Sequence, residues 1–250
     1  LEQRHGTAGH QILSLDRQLS CVGVTIKLPP TAGIGIAWIH AGVNRIEERN
    51  SLGEYSGRIS TGENAFVLSF SQKFSGRVAF GLNAKIMTHT LPIYDEKLSG
   101  TAVGVDVGLL YKLNNFVQFG GVVQNLNAKY QWKTNAIFEE SGTIYYDNFP
   151  VIYRAGIKTR FVNFQVLCDV EFVTNNSMLL GKRLNGGIEY YLNENITFRS
   201  GFGEKRFGIG FGYTYFKLDN FGVTLDYSAV VDEVQKFNGV THVISSSFSF

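Results

Sequence analysis

A chain of 250 residues with a formal charge of +2, its Lys and Arg scattered rather than massed, lacks the field that a nucleic-acid partner requires. Apolar residues make up 44% of it, yet no run approaches the ~18 needed for a membrane helix, so any bilayer crossing is made by strands. Its 28 Gly, 20 Phe and 12 Tyr suit a barrel with rings outside and small residues inside, and no shift in composition marks a domain boundary.

Residues 1–9 are polar and aperiodic and read as an irregular lead, with a single barrel domain over 10–250. No charged-then-apolar leader follows Leu1, which leads to the expectation of a leader already removed or of a sequence that is a fragment. A short candidate strand at 11–15 is followed by a clear one at 21–28, where Val22, Val24 and Ile26 alternate with Gly23, Thr25 and Lys27. Ile34, Ile36 and Trp38 alternate with Gly33, Gly35 and Ala37 in the next, and residues 44–62 read as a solvated loop of mixed charge. The strands at 66–74 and 78–86 form a tight hairpin around Ser75 and Gly76. After a loop at 89–100, the stretch 101–112 sets Val103, Val105, Val107 and Leu109 against Gly104, Asp106, Gly108 and Lys112. Further strands are expected at 116–128, 151–160, 164–172, 184–192, 196–203, 207–216, 221–230 and 241–250, with loops at 129–148 and 174–182.

That makes fourteen strands, with tight connections at one end alternating with mostly longer ones at the other. The pattern points to an all-β fold, a transmembrane antiparallel up-and-down barrel with short periplasmic turns, extracellular loops and both termini periplasmic. A soluble sandwich or lipocalin-like barrel would need the charged faces buried or the aromatic faces hidden, neither of which suits so many charges opposite so many rings. The last strand sets Ile244, Phe248 and Phe250 opposite Val243, Ser245, Ser247 and Ser249, and pairing of that strand with the first removes both sheet edges. Strand phase puts Cys21 and Cys168 on opposite faces, so no disulfide is expected.

Five segments, LSLDR at 13–17, AGIGIAWIHAGV at 32–43, ENAFVLSF at 63–70, GVDVGLLYKLN at 104–114 and VVQNLNAKYQW at 122–132, together resemble the PorV/PorQ family of outer-membrane barrels, relatives of the FadL long-chain fatty acid transporters. The resemblance covers nearly the whole chain in order. It implies a fourteen-stranded barrel whose lumen holds an N-terminal hatch, although the Asn-Pro-Ala motif of the FadL hatch does not occur here. It further implies an accessory or structural membrane subunit of a secretion or cell-surface assembly, with protein partners in an envelope complex. The alternative it implies is a FadL-like channel taking up small hydrophobic molecules.

No catalytic constellation stands out: His5, His10, His40, His89 and His242 show no HExxH or close metal-ligand spacing, and nothing nominates a nucleophile. A non-enzymatic protein without cofactor or metal, surrounded by outer-membrane lipid, is therefore expected. Lumen-wall candidates are Lys85, Asp106, Lys112, Arg154, Lys158, Asp169 and Glu171, with Lys27, Lys73, Glu189, Arg199 and Asp226 on the same phase. Both signs are present and no ring of one sign is evident, so pairing across neighbouring strands is the expected use. Gly208, Gly210 and Gly212 have the period of a strand and not of a phosphate loop; with Gly201 and Gly203 they would leave a bare patch on the inner wall, through barrel curvature or as a docking groove. The 129–148 loop carries Tyr130, Trp132, Phe138, Tyr145 and Tyr146, too many apolar groups to stand in water, and is expected to act as a lid or a partner surface.

Overall fold

The computed structural model describes residues 4–249 apart from 94–95, 135–141, 176–177, 218–220 and 235–236. The first six strands, β1 (Arg4–Ile12), β2 (Arg17–Leu28), β3 (Ala32–Arg49), β4 (Tyr55–Lys73), β5 (Val78–Ile93) and β6 (Glu96–Lys112), pair antiparallel in sequence order. The wall continues through β7 (Val117–Lys133), β8 (Ile144–Asn148), β9 (Val151–Arg160), β10 (Phe164–Asn175), β11 (Met178–Tyr191), β12 (Ile196–Gly203), β13 (Arg206–Lys217), β14 (Phe221–Val234) and β15 (Phe237–Ser249). Strand β15 pairs with β1 from His5↔Ser249 to Ile12↔His242, which closes the sheet. Fifteen strands fill fourteen positions, because β8 pairs with the upper half of β7 and β9 with the lower half on the same side. The structure is thus the expected closed, fourteen-stranded antiparallel barrel.

Its exterior is the apolar face. Ile36 is 65% and Leu68 60% exposed, whereas Asp106 and Glu171, on the opposite phase, are 4% and 2% exposed. A water-soluble barrel reverses that distribution; a bilayer demands it. Rings gather at both ends of the apolar band. Phe74, Tyr111, Phe116, Phe161, Tyr190, Tyr213 and Tyr215 stand near the short turns, and Trp38, Tyr153, Phe172, Phe202 and Phe207 towards the other end. The Trp38 indole donates to Asn64 Oδ1 at 3.1 Å and stacks on His40, the amphipathic placement favoured at a membrane–water boundary.

Several boundaries differ from the sequence reading. Residues 4–9 are not an irregular lead: they belong to β1, and residues 13–16 form the turn that follows, with Leu15 and Asp16 at positive φ. The outward positions over residues 4–10 are Arg4, Gly6, Ala8 and His10, opposite Ile26, Val24, Val22 and Ser20, so no large apolar residue announces the alternation there. Residues 44–62 are likewise mostly strand, since Ile46 pairs with Ile59 and Glu47 with Arg58, leaving a five-residue turn at 50–54. Residues 89–93 belong to β5 and 96–100 to β6, with Leu91 opposite Leu98. Where a strand rises beyond the bilayer its outer face meets water in place of lipid, and the period-2 signal fades although the ladder continues. The expected long loops at that end are therefore mostly extended strands, and the five histidines lie in strands.

Both chain ends lie at the short-turn end, since Arg4 faces Ile26 near the β2–β3 turn and Ser249 faces Gly222 near the start of β14. Phe248 is on the outer face between Gly6 and Val223, where it covers the closure seam; Phe250 lies outside the described residues. Cys21 and Cys168 are free, the former on the inner wall beside Gly9 and the latter exposed.

Candidate functional site

The lumen has three kinds of wall. On β5 and β6, Lys85 Nζ sits 2.6 Å from Asp106 Oδ1, and Asn83, directly opposite Asp106, donates to its other oxygen at 3.2 Å. The remaining donor is the backbone N–H of Asn125 at 3.0 Å, presented by an irregular stretch of β7 in which Asn125 and Asn127 both have positive φ. Asn125 Oδ1 also accepts from Lys85 at 2.6 Å, so the bulge that disturbs the ladder completes this polar cluster.

The second wall is a belt of ion pairs on β9–β14. Register places Arg154 and Arg183 on either side of Glu171, and both bind it: Arg154 Nε donates at 3.0 Å and Arg183 Nη1 at 2.8 Å. Asp169 accepts from Asn185 at 2.9 Å, with Arg154 Nε 3.7 Å away. Arg199 joins Glu189, 3.0 Å away on the strand beside it, to Asp226 two strands away. It reaches Asp226 by crossing Gly212, where a Cβ would lie 2.7 Å from Arg199 Nη1. Gly212 is thus covered by an ion pair, whereas Gly208 and Gly210 remain bare and line, with Gly187, Gly201 and Ser228, a concavity of about 440 Å³. A buried carboxylate with two guanidinium partners satisfies its lone pairs in place, which is the condition for keeping charge out of bulk water.

The third wall was not anticipated. At the end away from the short turns, Met87, Leu98, Ala102, Ala128, Tyr130 and Trp132 form a buried cluster on the inner face of β5, β6 and β7, with Leu91 and Phe149 packed against it. Ring centroids lie 5.2 Å apart for Tyr130 and Trp132 and 4.9 Å for Tyr130 and Phe149. The Trp132 ring lies against the backbone of Gly100, where a Cβ would come within 2.7 Å of it. His89 meets the edge of this group, 5.4 Å from the Trp132 centroid, and turns its polar atoms to Glu63 at 3.1 Å and the Thr61 hydroxyl at 3.1 Å. A second concavity of about 480 Å³ lies on the inner wall towards the short turns, beyond the Lys85–Asp106 cluster, lined by Ala79, Gly81, Gly108, Leu110, Gly120 and Val122 together with Arg154 and Asp169.

The structure thus divides the expected sites. Lys85, Asp106, Arg154, Asp169 and Glu171 are paired on the inner wall. Lys112 and Lys158 share that wall at the turn end and have no ion-pair partner among the described residues. Tyr130 and Trp132 are not loop residues: they belong to β7 and are buried inward, which removes them from any surface offered to an outside protein. Tyr145 and Tyr146 are exposed on β8, and Phe138 lies outside the described residues. Arg183, Met87, Leu98 and His89 were missed as site residues because each falls where the strand had been taken as finished. Among the described residues no group of His, Cys, Asp or Glu could hold a metal ion.

A lumen with paired charges, bare glycines and an aromatic inner cluster, inside an apolar exterior, defines a transmembrane barrel of the outer-membrane type. No protein-family model matches the chain, and no curated protein matches its sequence. Its fold is similar to that of the Pseudomonas putida toluene transporter TodX, with a TM-score of 0.64 and 12% identity over 98% of this chain and 88% of that one. A Pseudomonas aeruginosa FadL homologue gives a TM-score of 0.64 at 10% identity over 100% and 89% of the two chains. A TodX variant described as a monoaromatic hydrocarbon channel gives 0.61 at 13% identity over 99% and 89%. These neighbours are channels of the FadL type, and they lend no support to a PorV/PorQ accessory subunit.

Proposed function

We propose that the chain is an outer-membrane channel for small apolar molecules, the alternative raised by the FadL side of the resemblance. The observation that carries this reading is the inward-facing cluster of Met87, Leu98, Tyr130 and Trp132. An aromatic cluster inside a barrel has no role in meeting lipid, and it supplies the apolar path that the sequence phase did not reveal. Its rings and thioether suit an aromatic or short aliphatic guest. Towards the short turns the path would pass the Lys85–Asp106 cluster to reach the concavity at Ala79, Gly81, Gly108 and Gly120.

The chain has two tryptophans, Trp38 outside and Trp132 inside, so a Trp38→Phe variant reports from the lumen alone. Toluene added to this variant in nanodiscs is expected to change its fluorescence saturably, and Met87→Gln in the same background is expected to weaken the effect about tenfold or more. A purely linear response, identical in both proteins, would reflect partitioning into lipid and overturn the reading.

A further inference from the structure

Register gathers at the turn-end mouth charges that the sequence scatters. Lys73 and Lys112 end β4 and β6, Lys27 lies one residue inside the end of β2, and Lys158 two residues inside the end of β9. Lys112 is opposite Gln118 and Gln118 is opposite Lys158, so the two lysines flank one glutamine across three adjacent strands. Lys27 faces Gly33, and Lys73 faces Ala79, on the same inner phase. None of these four lysines has an ion-pair partner among the described residues, whereas the inner-wall carboxylates Asp106, Asp169, Glu171, Glu189 and Asp226 all do. The described carboxylates at that end are Glu189, already held by Arg199, and Glu194 in the β11–β12 turn. At the opposite mouth Arg45 and Arg49 are mixed with Glu47, Glu48, Glu54 and Glu63.

We propose that this lysine collar makes the turn-end mouth selective for anionic solutes, whatever cargo the barrel carries. The lysines sit on the inner phase, so the charge they present meets solutes in the mouth and not the surrounding lipid headgroups. Unneutralised like charges around a low-dielectric opening concentrate the opposite ion, and a potential of about one kT already gives roughly a threefold excess.

The test needs no conductance. In a Cys21→Ser, Cys168→Ser background, Gln118→Cys places a thiol between Lys112 and Lys158, and Ser71→Cys provides a second thiol on the inner face near Lys73. Each is reacted with a sulfonate-bearing and a trimethylammonium-bearing methanethiosulfonate, with rates normalised to a free thiol. The sulfonate is expected to react about threefold faster or more at both positions. Changing Lys27, Lys73, Lys112 and Lys158 to Gln is expected to bring the ratio to parity, and Ala41→Cys, on the inner face of β3 towards the other end, is expected to show no preference. Equal rates, a faster cation, a preference that survives loss of the lysines, or a mouth thiol that neither reagent reaches would overturn the proposal.

Discussion

Two quarters of the same inner wall solve the problem of a barrel interior in opposite ways. Across β9–β14 the interior is charged, and every belt carboxylate is met by a guanidinium or an amide. Across β5–β7, at the end away from the short turns, the interior is aromatic and aliphatic and holds itself together by packing. The first arrangement can lose a whole pair and stay balanced, because what it needs is the absence of unmatched charge. The second cannot lose a ring without leaving a hole, because nothing else occupies that volume.

This difference is open to direct disruption. Trp132→Ala should have the largest effect, costing about 3 kcal/mol of barrel stability, since it removes a buried ring from a cluster that also includes Tyr130 and Met87. Urea titration of folding in lipid vesicles measures it, and a polar replacement of similar size should do no better than alanine. In the belt, Arg154→Met leaves Glu171 with Arg183 as its one remaining cation and should cost about 2 kcal/mol. The double change Arg154→Met with Glu171→Leu should restore most of that loss. A double variant no more stable than the single would mean that the belt, like the cluster, depends on a specific fit.

Gly212→Ala probes the charged belt more gently. A Cβ there would press on the Arg199–Asp226 pair that lies across β13, so both side-chain ends must move aside and the ion pair loosens. A loss of about 1 kcal/mol is expected, against a near-neutral outcome for Gly201→Ala, which borders the open concavity and where an added Cβ would meet only the Gly186 carbonyl oxygen, at 3.4 Å.

The sequence made the barrel legible because the bilayer imposes period 2 wherever it touches a strand: Val103, Val105, Val107 and Leu109 against Gly104, Asp106 and Gly108 could hardly be anything else. Legibility stopped where the bilayer stopped. Met87, His89 and Leu98 lie on strand extensions whose outer residues face water, so the alternation that would have assigned them to the lumen was absent, and the apolar cluster was invisible. Trp132 was noticed for its hydrophobicity but placed in a loop for the same reason. Pairing in the belt was readable in kind but not in partner, since the match of Glu171 with Arg183 depends on a strand beginning at Met178 and not at Leu184. The lysine collar was hidden by register: four lysines spread over more than a hundred residues share a level only once the strands are aligned.

The smallest expected effect concerns β8, where the apolar quarter runs out into solvent. Tyr145 is opposite Trp132 and so continues the inner phase, while Tyr146 is opposite Gln131 on the outer one, with the Lys129 ammonium 4.8 Å from its ring centroid. Both rings are more than half exposed or nearly so, and an exposed cation–π contact contributes about 0.5 kcal/mol. Tyr145→Ser and Tyr146→Ser should therefore each change stability by about 0.5 kcal/mol or less. Their effects on function should differ. If the inner phase of β8 shields the cluster, Tyr145→Ser should speed toluene release from the Trp132 reporter while Tyr146→Ser leaves it unchanged. Equal rates in the two variants would mean that the inner phase of β8 does not shield the cluster.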